Sequence, residues 1–91
     1  MPNPVTETGQ YSNKTGTATV YTGSAQLLGF FCSTTTSGTV VIYDNTSAAT
    51  PITGTITLTA GTWYPIPATC VTGIHVVIAN TANITVFFNP A

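Results

Sequence analysis

The chain has almost no charged side chains. Only 3% of its 91 residues are Asp, Glu, Lys or Arg, against about a quarter in ordinary soluble domains. They are Glu7, Lys14 and Asp44, and the chain has no arginine. A nucleic-acid backbone or an anionic membrane surface is bound through several cations, because that attraction supplies most of the affinity. The sequence therefore predicts neither a nucleic acid nor a membrane as a partner.

Side chains capable of acid–base or metal chemistry are equally scarce. Beyond the charged residues, the chain has one histidine, His75, and two cysteines, Cys32 and Cys70. A metal site commonly needs three or four ligands, and catalysis needs a nucleophile with a base or a pair of carboxylates. Asp44, His75 and a serine can be drawn as a triad, but no Gly-x-Ser-x-Gly motif supports it. We therefore expect no enzyme, no bound metal and no cofactor.

The sequence also has no long apolar run. None approaches the roughly 20 residues of a membrane-spanning helix. The segment MPNPVTETGQ does not have the basic region followed by an apolar stretch that is typical of a secretory signal. The expectation is a chain made and used without secretion, or a mature form restarted with Met. In the first case buried thiols are favoured at Cys32 and Cys70, with a disulfide as the alternative.

What the chain does have is the composition of a folded β domain that associates. Its apolar fraction of 43% is ordinary, whereas disordered chains are poor in aromatic and β-branched residues. A single domain of this size buries only about 60–65% of its unfolded surface, so a monomer is marginally stable. Near-zero net charge favours association, and strand edges without charges are poorly protected against pairing. We therefore expect a homo-oligomer.

The stretch 25–44 (AQLLGFFCSTTTSGTVVIYD) stands at the centre of the predicted fold. Apolar runs at residues 26–32 and 39–44 flank a polar joint of Ser, Thr and Gly. This pattern predicts a β-hairpin, with Gly38 available for a positive φ in the turn. Gly29, in the middle of the first run, predicts a bulge or a close backbone contact.

Alternating apolar residues separated by turn residues predict short strands throughout the rest of the chain, and no helical periodicity is present. Ile74, Val76 and Ile78 share one face, and Ile84, Val86 and Phe88 share another. The expected fold is all-β, a small antiparallel β-sandwich or jelly-roll-like domain over residues 17–91. About seven strands are expected, at 17–22, 26–32, 39–44, 53–59, 63–67, 72–79 and 83–89.

Residues 1–16 are predicted to form an extended N-terminal arm. Pro2 and Pro4 favour extended backbone, and at least the first eight residues are expected to have no sheet partner of their own. The arm is either a frayed terminus or a segment ordered by a neighbouring subunit.

A second candidate contact surface lies at residues 63–67 (WYPIP). Its prolines cannot donate to a sheet, which predicts an edge strand or a bulge. Core packing, a contact between subunits, and a carbohydrate or peptide site all remain open for its aromatic residues. The adjacent pairs Phe30–Phe31 and Phe87–Phe88 each send one ring to either face, and an outward ring needs a cover. The candidate interface residues are Pro2, Pro4, Val5, Tyr11, Trp63, Tyr64, Pro65 and Phe87.

The order of these segments resembles a known class of proteins. Residues 25–89 resemble small Thr/Gly-rich β proteins among the structural proteins of tailed bacteriophages. The segments that carry the resemblance are SGTVVIYDN, the Thr-rich strand TGTITLT, YPIP, GIHVVI and the aromatic C-terminal strand. The similarity is greatest to minor head proteins of the capsid decoration or cement type. No motif in this stretch is catalytic, so no functional residue carries over.

The resemblance implies a β-sandwich protein on the capsid surface of a virion, assembled in the host cytoplasm. Its partner would be the major capsid protein of a phage head, which it would bind as a homo-oligomer, with a trimer favoured, to stabilise the shell. The alternatives are a tail, baseplate or fibre component, or a carbohydrate-binding β module with Trp63 and Tyr64 as its platform.

Overall fold

The computed structural model describes residues 9–91, which are all-β. Six strands occur in this part of the chain. Two of them, β3 and β6, are 19 and 18 residues long, far above the usual five or six. The bounds of the strands are β1 Gln10–Lys14, β2 Ala18–Thr22, β3 Ala25–Tyr43, β4 Ile56–Thr57, β5 Thr62–Cys70 and β6 Gly73–Pro90.

The strands form one open antiparallel sheet whose centre is the pair β3 and β6. These two strands pair over their whole length, from Ala25 opposite Pro90 to Tyr43 opposite His75. β6 also pairs with β1 and β2, and β3 also pairs with β4 and β5. Every other strand is therefore positioned by one of the two long strands.

The predicted central hairpin is wrong. Residues 26–32 and 39–44 do not pair with each other, because β3 continues through the Ser, Thr and Gly joint and both of its halves pair with β6. The expected turn at residues 80–82 is likewise an interior part of β6. The structure therefore has six strands where seven were expected, two of them formed by merging predicted neighbours.

Bulges take the place of those turns. The β3–β6 register shifts between Cys32 and Thr34 and again between Thr36 and Thr39. The positive φ in this region belongs to Ser37, at 54°, rather than to the predicted Gly38. Asn80 of β6 also has a positive φ, 63°, and its side-chain amide donates to the Ser37 carbonyl oxygen at 2.7 Å. Irregularities of the two strands therefore lie side by side and are bonded to each other.

The irregular region divides the pairing into two groups of four neighbouring segments. The first group contains β1, residues 81–90 of β6, residues 25–36 of β3, and β5. The second group contains β2, residues 73–79 of β6, residues 39–43 of β3, and β4. Each long strand contributes one half to each group.

The two groups share one hydrophobic core. The Tyr21 ring of the second group lies 5.5 Å from the Phe88 ring of the first. The link at residues 23–24 reaches both ends of β6, since the Gly23 amide donates to the Thr72 carbonyl and the Ala91 amide donates to the Ser24 carbonyl. The predicted inward faces of β6 are confirmed by a single buried cluster that includes Ile74, Val76, Ile78, Ile84, Val86 and Phe88.

The described part of the predicted arm is not free of the sheet. Residues 10–14, assigned to the arm from the sequence, form β1 and pair with residues 84–88 of β6. The first eight residues, with Pro2, Pro4 and Val5, lie outside the described residues. The prediction for residues 63–67 is confirmed, since β5 pairs with β3 alone and its register shifts between Leu27 and Gly29 of β3.

Candidate functional site

The outward side of the first group carries the candidate site. Tyr11 lies opposite Phe87, which lies opposite Gly29, and the neighbouring position pairs Phe31 with Trp63. Tyr11, Phe31 and Trp63 are 73%, 37% and 45% exposed, which is unusual for large apolar side chains. Phe31 and Trp63 belong to a groove of about 680 Å³, here called the aromatic groove, which is lined by Gln26, Leu28, Phe31, Trp63, Pro65, Pro67 and Phe87.

Gly29 makes the arrangement of the rings possible. It sits at the β3 bulge with a φ of 147°, a conformation that residues with a Cβ rarely adopt. A Cβ at this position would collide with the Tyr64 carbonyl oxygen and would lie 3.0 Å from the Trp63 ring. Because that space is empty, the Trp63 ring lies close over β3 and meets the Phe87 ring edge-on, with centroids 5.6 Å apart. The predicted close backbone contact at Gly29 is confirmed.

The chemistry of the aromatic groove is that of a binding surface. Its lining has no ionisable side chain, and Gln26 is its one polar side chain. Pro65 and Pro67 also have no backbone N–H, so this edge offers few hydrogen-bond donors. Such a surface favours an apolar, weakly hydrated ligand, since burial of apolar area is its main source of affinity. It offers no group for proton transfer or nucleophilic attack.

The structure brings some of the predicted interface residues together and separates others. Trp63, Pro65 and Phe87 line the aromatic groove, and Tyr11 lies on the same face beside Phe87. Tyr64 lies on the opposite face, where its ring stacks on buried Phe30 with centroids 4.8 Å apart. Its hydroxyl accepts a hydrogen bond from the Thr59 amide at 2.8 Å. Tyr64 is therefore partly buried and packs against the core.

Sequence reasoning missed Leu28 and Phe31 as members of this surface. A regular strand would place residues 28 and 30 on one face and residue 31 on the other. The bulge at Gly29 changes this alternation, so that Leu27 and Phe30 are both buried while Leu28 and Phe31 both line the groove. The mid-strand glycine is the available signal in the sequence, because a bulge at Gly29 changes the face on which the next residues lie.

Asp44, the residue that follows β3, binds the turn between β5 and β6. Its carboxylate accepts hydrogen bonds from the amides of Val71 and Thr72 at 3.0 and 2.9 Å, with a longer one from Gly73 at 3.4 Å. The bonds from Thr72 and Val71 hold the pKa of Asp44 below its usual value. Asp44 thereby fastens the turn between β5 and β6.

The possible triad is not assembled by these contacts. His75 Nδ1 lies 3.0 Å from the Thr19 hydroxyl, and that hydroxyl donates to the Thr46 carbonyl at 3.2 Å. The carboxylate of Asp44 is engaged by backbone amides. Among residues 9–91, no three His, Cys, Asp or Glu side chains are grouped as metal ligands would be.

Both cysteines are buried free thiols. Cys32 pairs with Thr62 at the start of β5, whereas Cys70 is the last residue of that strand and pairs with Ala25. The length of β5 separates them, far beyond the roughly 7 Å between Cα atoms that a disulfide tolerates. Burial raises the pKa of both thiols, and at Cys70 the charge of Asp44 adds to this effect. The preference for buried thiols is confirmed.

Comparison with known proteins adds no relative. No family model, curated protein or solved structure matches the chain. In residues 9–91 there is no helix that is long and apolar enough to cross a bilayer.

Proposed function

We propose that this chain is a non-enzymatic structural subunit of a virus particle, a capsid decoration or cement protein. It self-associates, with a trimer as the favoured state, and binds the lattice of the major capsid protein at the particle surface. The single observation that carries the proposal is the exposed aromatic groove on one face of a nearly uncharged sheet.

The strand order supports this choice. When the halves of β3 and β6 are counted separately, the first group reads β1, β6, β3, β5 and the second reads β2, β6, β3, β4. We assign this order to a jelly-roll sandwich, in which eight strands alternate between two four-stranded sheets. Jelly rolls occur in viral capsid proteins and in lectins. The resemblance to phage head proteins favours the capsid over the lectin.

The aromatic groove supports a protein partner. Aromatic residues dominate the energetics of protein interfaces, and charged residues are depleted at their centres. On a shell that presents many identical sites, contacts of modest strength add up through avidity. A tail, baseplate or fibre component would use the same surface, with a trimer standing alone on its own axis.

The exposed indole of Trp63 favours one other candidate function, a carbohydrate-binding β module. Aromatic rings stack on sugar faces, and Gln26 supplies an amide for sugar hydroxyls. A glycan screen separates the two functions, because a lectin must lose glycan binding when Trp63→Ala removes the ring. A capsid protein must instead lose binding to the shell.

The first experiment measures self-association by native mass spectrometry over a dilution series. The full chain is expected to form an oligomer that Trp63→Ser dissociates. The matched control is Val71→Ser, because Val71 is an exposed apolar residue outside the groove. A strict monomer at high concentration would overturn the self-association.

The second experiment tests the capsid assignment. Empty heads that lack the protein are incubated with the purified chain, and binding is followed by sedimentation. Saturable binding at a fixed ratio to the major capsid protein is expected, with a higher temperature for DNA release from loaded heads. Binding to isolated tails rather than heads would select the tail or fibre assignment.

A further inference from the structure

The aromatic groove begins where the described chain begins. A Cβ on Gly9 would lie 3.1 Å from the Leu28 side chain, and Leu28 lines the groove. The eight residues that precede Gly9 are MPNPVTET, so a segment that contains two prolines is covalently attached at the rim of an apolar, aromatic surface.

We propose that residues 1–5 (MPNPV) of a second copy of the chain bind in the aromatic groove. The proposal rests on the self-association put forward above, and it assigns the aromatic groove to the contact between copies of the chain.

The chemistry of the two surfaces matches. Proline-containing segments in extended polyproline conformation dock into grooves lined by aromatic rings, because proline loses little entropy and leaves its backbone carbonyls free. The groove offers Phe31, Trp63 and Phe87 as rings and Gln26 as a donor to such a carbonyl. Neither residues 1–5 nor the groove lining carries an ionisable side chain, so docking desolvates no charged side chain.

The dimensions also match. The groove runs along β3 from Gln26 to Phe31, which is about 16 Å at the usual rise of a strand. Five residues in polyproline conformation span about 15 Å. The segment therefore has the length of the groove.

The direction of the chain favours a second copy over the same copy. β1 runs antiparallel to β6, with Gln10 opposite Phe88 and Lys14 opposite Ile84. β1 therefore begins at the Phe88 end of its partner strand, whereas Trp63 lies at the level of Lys14 and Asn13, because its partner Phe31 lies opposite Thr85. Return to its own groove would require a reversal within residues 6–8 (TET), which contain no turn-forming Gly, Asn or Pro.

The chain has its own reporter for this contact, because Trp63 is its single tryptophan and lies in the groove. The test uses the full-length chain and follows the emission maximum and acrylamide quenching of Trp63 over a dilution series. Pro4→Ser combined with Val5→Ser disrupts the segment, and Thr6→Ser combined with Thr8→Ser is the matched control. For the unaltered chain and the control, we expect a blue-shifted and protected Trp63 at high concentration. For the Pro4/Val5 variant, we expect a red-shifted Trp63 with several-fold stronger quenching throughout.

A mixing experiment then tests exchange between copies directly. The Pro4/Val5 variant has an intact groove and Trp63, and an excess of a Trp63→Phe chain supplies intact segments without adding tryptophan signal. Restored protection of the variant's Trp63 is the expected result.

Three outcomes would overturn the proposal. Protection that is independent of concentration, lost in the Pro4/Val5 variant and not restored by mixing means that the segment binds its own groove. Concentration-dependent protection that survives in the variant means that another surface of the second copy covers the groove, while self-association stands. An exposed Trp63 at every concentration, with a monomer by mass, removes both the segment contact and the self-association.

Discussion

The two groups of strands have the same kind of inner face and very different outer faces. In both groups, alternating apolar residues of β3 and β6 enter the shared core. On the outer side of the second group, the side chains of His75 and Thr19 are half-buried and hydrogen-bonded to each other. The Thr19 hydroxyl also donates a hydrogen bond to the backbone carbonyl of Thr46, in the loop after β3. On the outer side of the first group, aromatic rings stand exposed. The inner faces supply the shared core, and the groove rings Phe31, Trp63 and Phe87 are no part of it.

The sharpest test of this comparison is a pair of adjacent phenylalanines in β3. Phe30 is fully buried, whereas Phe31 is 37% exposed in the groove. Phe30→Ala is expected to lower the free energy of unfolding by about 3–5 kcal/mol, because it leaves a cavity against Tyr64. Phe31→Ala is expected to cost less than about 1 kcal/mol in the monomer. Urea unfolding at low protein concentration measures both values, and Phe30→Leu replaces Phe30→Ala if the latter does not fold. Equal losses at the two positions would contradict the assigned faces.

Gly29 connects the fold to the groove, and Gly29→Ala should damage both. The added Cβ would meet the Tyr64 carbonyl and the Trp63 ring in a backbone conformation that alanine disfavours. We expect a loss of about 1–3 kcal/mol together with a changed Trp63 emission. The control is Gly54→Ala, where no atom lies within 4 Å of the added Cβ. An unchanged Trp63 spectrum in Gly29→Ala would show that the glycine does not position the ring.

The next prediction concerns the Asp44 carboxylate and the turn between β5 and β6 that it binds. Asp44→Ala removes the acceptor for the Val71 and Thr72 amides and should cost about 1 kcal/mol at pH 7. Since the folded-state pKa lies below the unfolded value, this stabilisation is complete above about pH 4. It is lost as the pH falls through the folded-state pKa. The difference in unfolding free energy between the parent chain and the alanine variant should therefore shrink on acidification, and a constant difference would refute the carboxylate's role.

The smallest expected effect is that of a reducing agent. With Cys32 and Cys70 at opposite ends of β5, the melting temperature should be the same with and without dithiothreitol. Both thiols should react with a thiol reagent only in denaturant, because they are buried. Two thiols that stay unreactive in denaturant until a reductant is added would reveal a disulfide.

The sequence predicts the inner faces and the edge strand, because both follow from local alternation and from prolines. Ile74 through Phe88 alternate inward as expected, and β5 is an edge. The joint at residues 33–38 is different, because Ser, Thr and Gly suit a turn and a pair of bulges equally well. The partner strand determines that bulges form here, since the Asn80 side chain, 43 positions away in the sequence, donates a hydrogen bond to the Ser37 carbonyl. The groove depends on the same kind of information, because the bulge at Gly29 determines which side Leu28 and Phe31 occupy.

The long pairing of β3 with β6 also governs when the protein can fold during synthesis. β3 ends at Tyr43, but its pairing is completed only by the strand that ends at Pro90. Contacts so distant in sequence slow folding. At a translation rate of about 5–20 residues per second, β3 waits several seconds with Leu27, Phe30 and Ile42 unpaired. Few charges are present to prevent its pairing with the same strand of a neighbouring nascent chain. The long strand β3 is therefore most exposed to wrong pairing while the chain is being made.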